Sequence, residues 1–502
     1  MATSKPRRGH EVESLHNAAS TEAHAEPHGV LRLPNELLDA VVVYLDQPSL
    51  CALVLTCKLT KRSATEALYT AYINRDAPSK APFHLSLRTL CESSELCAMV
   101  KEMDIRGWRS EFEVATGLPW SGVTKTKEGD KVRSSRTGPV FVSTSVSSTT
   151  KERPLKLFEN TAMKIGLLSV HNTLPVKPLK KTVVVGSTLE KDEDFLRLLR
   201  HGVEDAQVIL MLALLPGLKR LHIDGMSIYP TLDWHHCLRN SDTALRALRE
   251  LDLRGNSSSC GCVTHCTTMS FLEHVPNLER LHVSHIDVKD SRQVKELMSN
   301  KMLQGFVATD CRIDLQMLQN MLSGHKLVEF RYRPGLGEFT ADDVNDFTED
   351  HIVDRLRDSM RSLRKLTLWA TRPSQASRLS QFDRLETLEM PFHHGFLNEA
   401  TGQDSHSIAK LLQKRISRTL SSLTLRFVTP STTVPETMKV LRDLKLQGRF
   451  PELKIIRLNF CRYSRDPWFP PVPYDNLESE ALEAFGHIFE NTGLQLELSQ
   501  TD

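Results

Sequence analysis

One hydrophobic pattern returns along most of this chain: leucine, or a substitute for it, at the first, fourth and sixth places of a six-residue window. It appears at Leu218-Leu221-Ile223, Leu248-Leu251-Leu253 and Leu278-Leu281-Val283, and before them at Val100-Met103-Ile105. It continues at Leu303-Phe306-Ala308, Leu327-Phe330-Tyr332, Leu363-Leu366-Leu368, Leu385-Leu388-Met390, Leu420-Leu423-Leu425 and Leu453-Ile456-Leu458. Alternate apolar residues of this kind predict a short strand with one buried face. A single such strand cannot cover that face, so the copies must stack on a shared core. Helical spacing fills several gaps between them. Val208 to Leu215 ends at Pro216-Gly217, Leu315, Leu318, Met321 and Leu322 end at Gly324, and Ile408, Leu411 and Leu412 mark another helix. Strand, loop, helix and return make one turn of a solenoid. A last helix over Leu477 to Glu490 and a closing strand at Leu494, Leu496 and Leu498 are expected at the end.

Between Leu31 and Tyr72 the pattern is different. Pro34 suits a first helical turn, where its missing N–H costs nothing. Leu37, Leu38, Val41, Val42 and Leu45 then share one helical face. Asp46 and Pro48 start a second helix with Leu50, Leu53, Val54 and Cys57 on its stripe. Ala64, Ala67, Leu68, Ala71 and Tyr72 mark a third. A unit of this size buries too little apolar surface to stand well alone, so it is expected to pack against something else.

Leu33-Pro34-x-Glu36-Leu37-Leu38, then Tyr44-Leu45-Asp46, Leu50, Leu53, Thr56-Cys57-Lys58 and Leu68-Tyr69 resemble an F-box. Thr60 departs from the pattern, standing near where that family often has an aromatic residue. The resemblance implies a small helical unit docked on a Skp-family adaptor, which joins it to a cullin–RING ubiquitin ligase. It also implies that Leu33, Pro34, Glu36, Leu37, Leu38, Val42, Leu45, Leu50 and Leu53 face or support the adaptor; the sequence does not sort one role from the other. The repeats resemble the irregular leucine-rich-repeat domains that follow an F-box in many fungal proteins. Asn256, Cys311 and Cys461 fall where such repeats carry an Asn or Cys that bonds the turn backbone. The fold class expected is therefore α/β, an irregular leucine-rich-repeat solenoid (a horseshoe) preceded by a small all-α F-box. The function implied is substrate recognition for an SCF-type ligase, with a repeat-based binding scaffold lacking any ubiquitin role as the alternative.

The organisation expected is a polar disordered tail at 1–29, the F-box at 30–74 and the solenoid at 96–500. Pro78 and Pro82 mark a linker. Residues 121–151 are rich in Ser, Thr, Lys and Gly and nearly free of acids, which predicts a disordered insertion. The 502 residues carry 64 basic and 62 acidic side chains. That balance gives no global field for nucleic acid or an anionic membrane. The longest apolar run is too short to span a bilayer. No apolar signal segment follows the N-terminus, so the ten cysteines are expected to be reduced thiols in cytoplasm or nucleus.

Catalytic motifs are missing. Gly335 and Gly337 lack the third glycine and helix start of a nucleotide fingerprint, and neither G-x-S-x-G nor H-E-x-x-H occurs. No enzyme activity, cofactor or metal is expected. One cluster leaves the metal question open: Cys260, Cys262, His265 and Cys266 in one loop, and His235, His236 and Cys237 in a loop one repeat earlier, carry the donors zinc prefers. Within the strands the leucines point inward and the alternating residues line the open face. That row reads Arg220 and His222, Glu250 and Asp252, Arg280 and His282, Glu329 with Arg331 and Arg333, then Lys365, Thr367 and Trp369. Arg331, Arg333, Lys365 and Trp369 look mostly basic with one large aromatic, the residue types of binding hot spots, and are the expected target-binding residues.

Overall fold

In a computed structural model of the chain, the repeated leucine pattern becomes a parallel sheet. The structure describes residues 33–74, 83–106, 152–168, 188–226, 234–239, most of 241–255, 264–265, most of 272–288, 302–334 apart from 314, 349–369, 379–392, 405–428, 433–461, and 485–501 apart from 486. The 1–29 tail, the 121–151 segment and most of the expected helix over 477–490 lie outside the described residues. Within that stretch Phe485 is helical and 487–490 are turn.

The chain divides into two compact units between Leu68 and Tyr69. The first holds three helices, α1 (Asn35–Val42), α2 (Gln47–Thr56) and α3 (Lys58–Thr70). Pro34 precedes α1, and its carbonyl accepts from the N–H groups of Leu37 and Leu38. Asp46 caps α2, its Oδ1 accepting from the Ser49 N–H at 3.0 Å. This satisfies a donor that a helix start leaves without an intrahelical partner. The core is small: Val42, Leu50 and Ala64, flanked by Leu45, Leu53, Val54, Ala67 and Leu68. Thr60, the departure from the F-box-like pattern, is buried near the α2–α3 junction. Its hydroxyl lies 3.1 Å from the Leu53 carbonyl, 3.2 Å from the Cys57 carbonyl and 2.9 Å from the Thr56 hydroxyl. Hydrogen bonding thus ties α3 to the end of α2 at this corner.

The second unit opens with β1 (Ala71–Asn74), α4 (Phe83–Glu92), α5 (Ser94–Met99) and β2 (Glu102–Arg106). Helices α6 (Glu152–Lys164), α7 (Thr188–Arg200) and α8 (Glu204–Leu214) lead to β3 (Arg220–Met226), α9 (Trp234–Arg239) and β4 (Glu250–Gly255). Strands β5 (Thr264–His265), β6 (Arg280–Ser284), β7 (Ile286–Val288) and β8 (Gly305–Ile313) precede α10 (Leu315–Leu322), β9 (Glu329–Pro334) and α11 (Glu349–Arg355). The series ends with β10 (Lys365–Leu368), β11 (Thr387–Pro391), α12 (Ser405–Arg415), β12 (Ser422–Val428), α13 (Thr433–Leu446), β13 (Ile455–Cys461) and β14 (Gln495–Thr501). Twelve strands follow one path in chain order, β1-β2-β3-β4-β6-β8-β9-β10-β11-β12-β13-β14, and every pairing is parallel. Strands β5 and β7 form a side ladder onto β8.

The repeat is visible in the backbone itself. The Lys101 carbonyl accepts from the N–H groups of Lys219 and Arg220, the Lys219 carbonyl from Arg249 and Glu250, and the Arg249 carbonyl from Glu279 and Arg280. The same two-donor join recurs at Glu279, Gln304, Val328, Arg364, Glu386 and Ser421. Register therefore carries over through the leucine rows, shifting only at later positions in β3, β8 and β12, and Leu221, Leu251, Leu281, Phe306, Phe330, Leu366, Leu388, Leu423 and Ile456 form one buried row across the sheet. Each buried side chain of this size is worth about 1.5–3 kcal/mol. The row two residues on, from Ile105 to Leu458, is buried as well. Helix α8 is buried on all sides, as a helix apolar around its whole girth must be. Cys311 is buried, and its Sγ lies 3.4 Å from the Val283 carbonyl of the preceding repeat, the backbone bond expected of that position. Gly324 ends α10 at φ +76°, a conformation that side chains with a Cβ resist.

Two elements differ from the sequence reading. Ala71 and Tyr72 continue the apolar spacing of α3, yet the helix stops at Thr70 and these residues begin β1. Pairing with β2 provides the backbone with a full ladder there, and that long-range gain overrides local spacing. His235, His236 and Cys237 are not in a loop but in α9.

Candidate binding surfaces

Strand alternation sets the functional side chains. In β2, β4 and β9 buried and more exposed residues alternate, so the whole row predicted for the open face stands opposite the leucines. On β3, β4 and β6 the register places His222, Asp252 and His282 side by side. His222 Nδ1 lies 2.8 Å from Asp252 Oδ2, and His282 Nδ1 lies 3.2 Å from Asp252 Oδ1. Arg254 adds a third contact at 3.1 Å. Burial works against the ionised Asp252, but bonds from His222 and His282, with Arg254, outweigh it and hold this carboxyl well below the usual carboxylate range. Around the trio lies a hollow of about 460 Å³, edged by Glu102, Arg220, Glu250 and Arg280. Those four alternate in sign from strand to strand and pair across it, Arg220 with Glu102 and Arg280 with Glu250 at 3.0 Å.

Arg331, Arg333, Lys365 and Trp369 all come to the open side of the sheet, within two adjacent repeats. The patch is less basic than the sequence suggested. Arg331 pairs with Glu329 at 2.8 Å on its own strand, and Arg333 Nε lies 3.1 Å from Asp310 Oδ1 on β8. Glu329 stands in the row read from the sequence, but Asp310 does not, because it sits at the register shift in β8 between Thr309 and Cys311. Trp369 holds the strand ladder through its N–H to the Tyr332 carbonyl. Its ring has the Arg333 Cζ 4.7 Å from the centroid and the Arg426 Cζ at the same distance. Arg426 was not singled out in the sequence: it lies 57 positions from Trp369, and only the stacking of β9 to β12 unites them.

On the helical unit the structure sorts the expected adaptor residues. Leu38, Val42 and Leu50 are buried, while Leu33, Leu45 and Leu53 are half-buried. Pro34, Glu36 and Leu37 are exposed, Leu37 by 51%. Val41, Tyr44, Leu55 and Leu59 add further exposed apolar surface, Tyr44 at 89% and Leu55 at 85%.

The Cys/His cluster is only partly described. His236 in α9 is buried and its Nε2 lies 3.1 Å from Asp192 Oδ1 on α7, so its ring serves a helix–helix contact; Cys237 is buried too. The side chains of His235, Cys260, Cys262, His265 and Cys266 lie outside the described residues. Among the described residues no group of three or more His, Cys, Asp or Glu could hold a metal ion, and no helix is long and apolar enough to cross a membrane.

No protein-family model matches the chain, and no curated protein matches it significantly. Among solved structures, a plant peptide hormone receptor, RGFR1 in complex with RGF2, is similar at 12% identity and a TM-score of 0.21. The match covers 58% of this chain and 48% of the receptor's, so this chain spans about half the length of that structure. The leucine-rich-repeat architecture rests on the strand register and the repeated backbone joins described above.

Proposed function

We propose that the chain is the substrate-recognition subunit of an SCF-type cullin–RING ubiquitin ligase. The helical unit binds a Skp-family adaptor, and the open face of the sheet holds a target protein. The chain makes and breaks no bonds itself; it raises the local concentration of the target at the ubiquitin carrier. The observation that carries this reading is the helical unit's surface. Among the described residues its buried apolar side chains are Leu38, Val42, Leu50 and Ala64, yet Leu37, Val41, Tyr44, Leu55 and Leu59 stay exposed. Such apolar surface on so small a unit marks a docking site, and it coincides with the F-box-like motif Leu33-Pro34-x-Glu36-Leu37-Leu38. The partners are then a Skp-family adaptor, the cullin–RING ligase and one target, without nucleic acid or membrane, in cytoplasm or nucleus.

The test is mass spectrometry of proteins co-purified with the full chain and with a chain lacking residues 31–72. An adaptor and a cullin should both appear with the full chain and both vanish from the shortened one. An adaptor without a cullin favours the alternative, a repeat scaffold with no ubiquitin role.

A further inference from the structure

We infer that Arg333, Trp369 and Arg426 form the anchor for an extended acidic segment of the target, one with anionic side chains two residues apart. The inference rests on the reading that the open face holds the target. Arg333 reaches Trp369 from β9, one strand before β10, and Arg426 from β12, two strands after it. At that row β11 supplies Pro391, which is buried and pairs in register with Arg426. Each guanidinium has one carboxylate beside its Nε, within ion-pair distance and without a hydrogen bond there among the described residues, Asp310 for Arg333 and Glu389 for Arg426. Glu389 is itself tethered by the Thr367 hydroxyl at 3.4 Å. Among the described residues the terminal amino groups of both arginines make no hydrogen bond, and both side chains are partly exposed.

The stack therefore holds two planar donor forks ready-made. Their ordering cost is met before a ligand arrives, and a guanidinium fork matches carboxylate or phosphate oxygens in pairs. With both Cζ atoms 4.7 Å from one ring centroid, the forks stand no more than twice that distance apart. Side chains on the same face of an extended peptide are about 7 Å apart, two residues at roughly 3.3–3.4 Å each. Adjacent acids would point to opposite faces. Lys365, one strand from Arg333's and without a described acidic partner, leaves the rim positive after Arg331, Arg333 and Arg426 are set against Glu329, Asp310 and Glu389. Trp369 is a positioning residue: both arginines lie over its ring, so it spaces them instead of stacking on the target.

The test uses the full chain and dye-labelled peptides read by fluorescence anisotropy at about 150 mM salt, where long-range attraction is screened. One peptide carries glutamates two positions apart, an isomer has them adjacent, and matched versions carry phosphoserine or lysine. The alternating acidic peptide should bind at least about five-fold tighter than its isomer, and the lysine peptide weakest, as paired oxygen recognition requires. Tighter binding of the phosphoserine or of the glutamate version supports the site and identifies which anion it takes. Arg333→Gln, Arg426→Gln and Trp369→Leu should each remove that preference with the melting temperature kept. Arg333→Lys and Arg426→Lys keep the charge without the fork, and decide the matter if a glutamine variant fails to fold. Equal binding of all peptides, or an unchanged preference in the variants, overturns the inference. Adaptor capture by the same preparation shows whether the wider reading survives that result.

Discussion

Leu37 and Leu38 are neighbours in sequence and opposites in physics. Leu38 is buried to 1% exposure, whereas half of Leu37 faces solvent. Leu37→Asp should leave stability within about 0.5 kcal/mol and abolish adaptor capture, since a charge would have to be desolvated on docking. Leu38→Ala should cost about 2–5 kcal/mol, enough to unfold so small a unit, and limited proteolysis would show it as new cleavage within 33–68. Equal proteolysis of the two variants would mean that burial has not been read correctly. His325 provides a second residue-scale prediction. It is buried, its Nδ1 has no hydrogen-bond partner among the described residues, and burial pushes its imidazole below the ordinary value. The unfolded chain then binds the proton more readily, so this site costs stability as pH falls below about 6.5. His325→Gln should flatten the urea-midpoint slope between pH 7.5 and 5.5; an unchanged slope would place the acid sensitivity elsewhere. Neither property was legible in the sequence. Periodicity put Leu37 and Leu38 on one face, and which of them the other helices cover is a tertiary fact.

At the scale of elements, strands were the most legible part of the chain. Leu251-x-Leu253 and its relatives fix both their conformation and their facing, because a period of two admits one inward set. Strand β14 was expected from Leu494, Leu496 and Leu498, and it pairs with β13 along seven residues, from Gln495 to Thr501. Its loss would leave Ile455–Cys461 as an open edge, a template for association. Ending the chain at Gly493 should lower the melting temperature by about 5 °C or more and produce aggregates in light scattering; an unchanged melt would mean that β13 closes the stack unaided. Strand β1 was not legible, since Ala71 and Tyr72 continue a helical rhythm and only β2, some thirty residues on, makes them a strand. Helix α9 was hidden because its six residues are too few to show a helical period, and its His236–Asp192 contact spans 44 residues.

For the whole molecule, the sequence located two kinds of surface and the structure refined each differently. The repeats laid out the open face, but its charge could not be read row by row: Asp310 and Glu389 reach the arginines from other strands. The proposed docking residues were visible as a motif, yet the exposed apolar ones, Tyr44 and Leu55 among them, emerge only once Leu38, Val42, Leu50 and Ala64 are buried. On the proposed function, docking by the helical unit and recognition by the repeat unit should fail independently. Changes at Arg333 or Arg426 should spare adaptor binding, and changes at Leu37 should spare peptide binding. The account's central claim is tested most directly by titrating purified Skp-family adaptor, alone and then joined to its cullin, into the full chain and into Leu37→Asp. The account predicts a complex of all three with the unchanged chain and no complex with the variant, at equal melting temperature. Adaptor binding that persists in the variant, or a chain–adaptor complex that excludes the cullin, would contradict it.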